Sequence, residues 1–288
     1  MLLQYLLSGP TAGAIYALVA LGFAMIYNAS HVINFAQGEF VMIGGMASAT
    51  LVEAGWPLPL AAVAAIAAAT LVGALLEKLA VEPARRSSVV TLIIITIGAS
   101  ILLRGLAALV WDKKIHRLPA FSGDAPLQLA GATLLPQVLW VLGVSAAAVA
   151  ALGWFYRRTL AGKAMLAVSH NRLAAELVGI RPRGVLLASF ALSAALGSLA
   201  GVLVAPIAFT SWDAGVMLGL KGFAAAIVGG LGSSAGAVLG GLALGLVEAL
   251  GAGYLSSAYK DVFAFVLILA ALVFLPDGLL GRRSAERV

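Results

Sequence analysis

The sequence predicts an all-α, polytopic transmembrane bundle of about eight or nine spans, with a discontinuous helix region and one long cytoplasmic loop. Three observations carry that prediction. Of the 288 residues, 62% are hydrophobic and only 10% charged, with a mean hydropathy of +1.06. A soluble domain is roughly 45–50% apolar and about 25% charged. Several apolar runs reach the ~20 residues needed to cross a bilayer core. Finally, the basic residues gather between those runs, as they do in short loops kept on the cytoplasmic side.

Taken in order, the predicted spans are Leu2–Tyr27, Phe35–Val52, Leu60–Leu79, Val89–Trp111 and Pro136–Tyr156. After a basic loop come Val185–Ala208, a short segment Met217–Leu231, then Ala235–Ala252 and Val262–Leu275. MLLQYLLSGP has no basic start and no clear cleavage site, so it reads as part of the first span. Gly55–Pro59, Glu82–Arg86 and Leu231–Ser234 are turn signals between spans. Lys78, Arg85 and Arg86 mark one inside loop, Arg157–Arg183 the main one, and Arg282, Arg283 and Arg287 an inside C-terminal tail. Lys113, Lys114 and Arg117, only partly offset by Asp112 and Asp124, conflict mildly with an outside placement of Trp111–Leu135. Nine spans place the N-terminus outside and the C-terminus inside; eight result if a short segment is re-entrant.

The net charge of +6 does not indicate nucleic acid, because the charges serve topology and anionic headgroups. Cysteine is absent, which excludes disulfides and thiolate metal sites. His31, His116 and His170 are dispersed at no ligand spacing, so no metal site is expected. No G-x-x-x-x-G-K-[ST], G-x-S-x-G or H-E-x-x-H occurs, so neither nucleotide binding nor catalysis by this chain is predicted. Nor is there the dense array of intramembrane acids expected of an ion-coupled carrier.

Polar residues in apolar surroundings mark the candidate sites. Asn28 to Phe40 lies between two spans without a single Lys or Arg, and Asn34, Gln37, Gly38 and Glu39 run into the second span. Irregular backbone and a carboxylate at that depth must face protein or a water-filled cavity. Asn28, Asn34, Gln37 and Glu39 are candidates for lining a substrate path; an interfacial turn with helix-capping side chains is the alternative. Arg104 and Glu248 lie inside spans and could snorkel or pair, with each other among the options. Asp213 and Lys221 flank the short segment and are expected to form an ion pair at the outer rim. Gly236, Gly240, Gly241 and Gly245 have small-xxx-small spacing for close helix packing, within the chain or at a dimer seam.

The stretch Arg157–Arg183 holds six basic residues against one acid, Glu176. Its apolar positions recur at three- and four-residue spacings, predicting one or two short amphipathic helices bounded by Gly162, Gly179 and Pro182. Such helices lie on the membrane or dock into a cytoplasmic partner. Trp and Phe, which favour headgroup burial, are missing from the amphipathic part, and this favours a protein partner.

Asn34-Phe35-Ala36-Gln37-Gly38-Glu39-Phe40, Leu173–Ile180, and Lys221-Gly222-Phe223 leading to Gly229-Gly230-Leu231-Gly232-Ser233 together resemble the LivH-type permeases of branched-chain amino acid ABC importers. The resemblance covers essentially the whole chain, in order and spacing. It implies one permease domain over 1–288, in the inner (cytoplasmic) membrane, with a coupling loop at 157–183. The implied partners are a LivM-type second permease, two cytoplasmic ATPase subunits that bind the ATP, a periplasmic amino-acid-binding protein and membrane lipid. Leu173–Ile180 then corresponds to the coupling helix, with Arg172, Ala174, Glu176 and Gly179 at the ATPase contact. The implied mechanism is alternating access. Similar permeases carry urea, short amides and other hydrophobic or aromatic acids, which leaves the substrate open. A self-sufficient secondary carrier is the competing class.

Overall fold

A computed structural model describes residues 2–123, 125–129, 132–275 and 277–281. Asp124, Arg282, Arg283 and Arg287 lie outside the described residues. The helices are α1 (Leu2–Ser30), α2 (Gln37–Glu53), α3 (Leu58–Leu76, continued by a π-helical turn Glu77–Val81), α4 (Val89–Val110) and α5 (Pro136–Arg158). They continue as α6 (Leu160–His170), α7 (Arg172–Leu177), α8 (Pro182–Ala208), α9 (Ala214–Gly229), α10 (Ser234–Tyr254) and α11 (Lys260–Phe274). A two-stranded antiparallel hairpin, β1 (Leu127–Leu129) with β2 (Ala132–Leu134), lies in the loop before α5 of what is otherwise the expected helical bundle.

Seven of these helices are long and apolar enough to span a membrane. α2 and α9, of 17 and 16 residues, are shorter. One end of the bundle gathers Asn28, Tyr156, His170, Ser189 and Ser233 around a cavity, beside the basic loop. At the other, the His116 and Thr210 backbones pair, His116 meets Glu53, and the Tyr5 hydroxyl reaches the Gly253 carbonyl. The chain is thus a multi-pass membrane protein with a basic end and a far end.

α1 is the central column, with 89% of its most apolar window buried, against 17% for α4 and 11% each for α5 and α11. Those outer helices present large apolar faces, including Ile94, Ile101, Leu139, Trp154, Leu269 and Val273. In a bilayer such faces need no aqueous core, so burial is driven by close packing and polar satisfaction.

α10 supplies much of that packing. Gly236 and Gly240 meet Gly229 and Ala225 of α9, while Gly241 and Gly245 meet Ala17, Gly13 and Gly9 of α1. The two pairs stand well apart around the helix at 100° per residue, so one helix docks two neighbours at once. A Cβ on any of the four would run into neighbouring backbone.

Candidate functional site

Between α1 and α2 the helix breaks inside the bundle. α1 stops at Ser30, His31 adopts φ 55°, and the chain doubles back so that α2 begins beside Gly22 of α1 and Ser193 of α8. Backbone at this depth must find partners within the protein. Val32 N–H donates to Ser30 Oγ at 3.2 Å, Phe35 N–H to Thr96 Oγ1 at 3.2 Å, and Ala36 N–H to Asn34 Oδ1 at 3.1 Å. Asn34 is fully buried and acts as the cap of this turn. Gln37, also fully buried, accepts from Ser193 Oγ at 2.6 Å and donates to the Ser193 carbonyl at 3.1 Å.

α9 starts inside the bundle too, after α8 ends at Ala208 and Phe209 turns with φ 60°. Its first residues meet those of α2, with Gly38 packed on Gly215 and Gly219. Two helix N-termini, each the positive end of a helix dipole, therefore flank one small cavity of about 160 Å³. Phe23, Phe35, Phe223, Glu39, Ser100 and Arg104 contribute to its wall. Glu39 is 1% exposed; its Oε1 accepts from Ser100 Oγ at 2.7 Å and faces Arg104 Nε at 3.2 Å. Arg104 thus pairs with Glu39 rather than Glu248: α4 packs on α2, whereas Glu248 belongs to α10 across the bundle. The four path candidates separate. Glu39 lines this cavity, Asn28 lines the larger one at the basic end, and Asn34 and Gln37 serve the turn.

The expected Asp213–Lys221 pair is absent. Asp213 accepts from Ser211 Oγ at 2.6 Å in the turn before α9. Lys221, two turns on and 4% exposed, points the other way, to Glu248 Oε1 at 2.7 Å and Asp261 Oδ1 at 2.6 Å. Tyr16 donates to Glu248 Oε2 at 2.7 Å, and its hydroxyl lies 3.3 Å from Lys221 Nζ. This cluster ties α1, α9, α10 and α11 together. Its sequence signal was Asp261 opening an apolar span together with Lys221 in mid-segment; neither is readily tolerated in lipid without a partner.

The basic loop forms two helices, α6 and α7. Thr159 caps α6 through Gly162 N–H at 3.0 Å, so Gly162 lies within its first turn and does not bound it. Gly162 is needed there because a Cβ would strike the Phe155 carbonyl. Asn171 caps α7 through Ala174 N–H at 3.0 Å, and Gly179, with φ +86°, ends it. Ala175 is buried with Met165, Val168 and Val185, which fastens α7 to the bundle. Its other face is bare, with Leu173, Leu177 and Val178 at 74%, 88% and 76% exposure. Arg172 and Glu176 pair at 3.4 Å across that exposed face, and Ala174 lies on it. An exposed i,i+4 pair contributes only about 0.3–0.5 kcal/mol, so it does not hold the loop's shape. Among the described residues no group of His, Cys, Asp and Glu could hold a metal ion.

The chain matches the family model described as branched-chain amino acid transport system / permease component over residues 5–272. It is 36% identical to the high-affinity branched-chain amino acid transport system permease protein LivH of Escherichia coli (strain K12), over 99% of this chain and 97% of the relative. The corresponding BraD protein of Pseudomonas aeruginosa is 34% identical over 99% and 98%. The autoinducer 2 import system permease protein LsrC of Shigella flexneri is 28% identical over 96% and 80%. PsaBC from Streptococcus pneumoniae, solved in complex with Fab, shares the fold at a TM-score of 0.51 and 14% identity, covering 95% of this chain and 93% of that one. With a helix break at the core, a bare helix at the basic end and this match along nearly its whole length, the chain belongs to the branched-chain amino acid transport permease family.

Proposed function

We propose that this permease subunit carries branched-chain amino acids inward across the inner membrane as part of an ABC importer. The partners in this reading are a LivM-type second permease, two cytoplasmic ATPase subunits that bind the ATP, and a periplasmic amino-acid-binding protein. The observation that carries it is α7. Leu173, Leu177 and Val178 stand uncovered on a helix that is itself anchored through Ala175. Burying each such side chain is worth about 1.5–3 kcal/mol, and a groove on a protein partner supplies that burial. The basic loop around it supports a cytoplasmic position for this end.

Motion of α7 reaches the bundle through two contacts. α6 and α8 pack on α7, and α6 also touches the end of α1, immediately before the helix break. A state-specific partner shifts the inward–outward equilibrium only by its differential affinity for the two states. Glu39 and Asn28, in cavities at two depths, are the path-lining residues of this reading.

Purifying the complex from native membranes and reconstituting it tests the proposal. Labelled leucine should accumulate only with ATP and the co-purifying subunits. Accumulation by this chain alone under an ion gradient would instead establish a secondary carrier.

A further inference from the structure

Beside the Lys221 cluster lies a third cavity, of about 520 Å³, within the range of small-molecule sites. Ser8, Thr11, Ile15 and Tyr16 form its wall on α1, about 12 Å from first to last at 1.5 Å per residue. It therefore runs from the far rim of the bundle down to the buried charges. Val138, Val204, Ile207 and Leu218 make it apolar along that length, while Lys260 and Thr11 stand on its wall.

The charges at its floor do not balance. Lys221 donates to Glu248 Oε1 and the Tyr16 hydroxyl, while Asp261 Oδ1, 2.6 Å from the same ammonium, is buried and accepts no hydrogen bond. One ammonium thus serves two carboxylates; Lys260 is a second cation on the same wall, so the lining is neutral overall with its excess of negative charge around Lys221. A partly desolvated negative charge attracts a cation that can bring its own hydrogen bonds.

We propose that this cavity is a binding site for an aliphatic α-amino acid, apart from the path that Glu39 and Asn28 line, its ammonium held at Asp261 and Glu248. The carboxylate faces Lys260 and Thr11, and the side chain lies against Val138, Val204 and Leu218. The identity of the ligand rests on the amino-acid reading above; the ammonium preference follows from the cluster itself. α9 separates this site from the Glu39 cavity, with Leu218 and Lys221 on one face and Gly215, Gly219 and Phe223 on the other.

Binding to the purified permease complex in nanodiscs, without the soluble binding protein, tests the site. The probes are tritiated leucine, isopentylamine, which keeps the ammonium alone, and 4-methylpentanoate, which keeps the carboxylate alone. Leucine and isopentylamine should compete with each other, and 4-methylpentanoate should compete at least about tenfold less well, the value of one charged hydrogen bond. Asp261→Asn should weaken both amine ligands by a similar factor. If that variant fails to assemble, Val138→Trp, which fills the cavity away from the charges, should abolish binding. Unchanged amine binding in these variants, or equal competition by 4-methylpentanoate, would overturn the assignment. So would loss of binding when phosphatidylethanolamine replaces phosphatidylcholine, which would make the cavity a lipid-headgroup site. If isopentylamine binds as expected but the wild-type complex neither binds nor transports leucine, the ammonium site stands and the amino-acid reading fails.

Discussion

Gly38 and Gly215 hold the first turns of α2 and α9 backbone to backbone, so close that a Cβ on either would collide with the other's carbonyl. Through that contact two interrupted helices share one cavity inside the bundle. Gly38→Leu should therefore destabilise the solubilised protein by about 1–3 kcal/mol or more, as overpacking does. Gly98→Ala and Gly105→Ala, on α4 with open space around the new Cβ, should raise stability by up to about 1 kcal/mol each. Thermal denaturation in detergent reads both, and equal Tm values for all three would remove the packing argument.

Leu177→Asp places a charge on the bare face of α7 without touching Ala175. It should leave membrane insertion intact and reduce co-purification of the ATPase subunits. Glu176→Lys should retain the complex but separate ATP hydrolysis from uptake. Normal coupled uptake by both variants would exclude α7 as the docking element.

Glu39→Ala leaves Arg104 facing an apolar cavity alone. Uptake should fall about tenfold or more while the amount of assembled complex stays near that of the wild type, the loss of one charge-assisted contact. Glu39→Gln with Arg104→Gln should recover part of the loss. Parallel loss of complex and uptake, measured by quantitative pull-down, would make Glu39 structural.

Lys221→Met removes the ammonium that Glu248 and Asp261 share. Removing one partner of a buried ionic group costs about 3–5 kcal/mol. The triple variant Lys221→Met, Glu248→Gln, Asp261→Asn should be more stable than Lys221→Met, because the uncompensated charges are gone. The reverse order of Tm values would contradict the charge accounting.

Much of the fold was legible because lipid imposes a simple rule on sequence. Long apolar runs favour helices that cross, and Lys and Arg gather at the ends unless partnered inside, so the spans and the basic end follow from residue order. The break before α2 was legible as well, since Asn34, Gln37 and Glu39 have no place in a lipid-facing helix. Pairings were not. Asp213 stands just before α9 and Lys221 eight residues on within it, yet the turn before α9 gives Asp213 to Ser211 and aims Lys221 across the bundle. Gly162 reads as a helix boundary but is a contact point, because what it touches, the Phe155 carbonyl, belongs to the end of α5.

The chain's order of residues alone determined that this is a multi-pass helical protein with a long basic loop and a polar interruption near its start. Hydropathy and charge act locally along the chain, and each window states its own preference for lipid or water. Only the tertiary structure decided which side chains share a cavity: Glu39 with Arg104, Lys221 with Glu248 and Asp261, Gly38 with Gly215. Those contacts depend on the rotation and depth at which helices far apart in sequence meet, and no single window of sequence carries that.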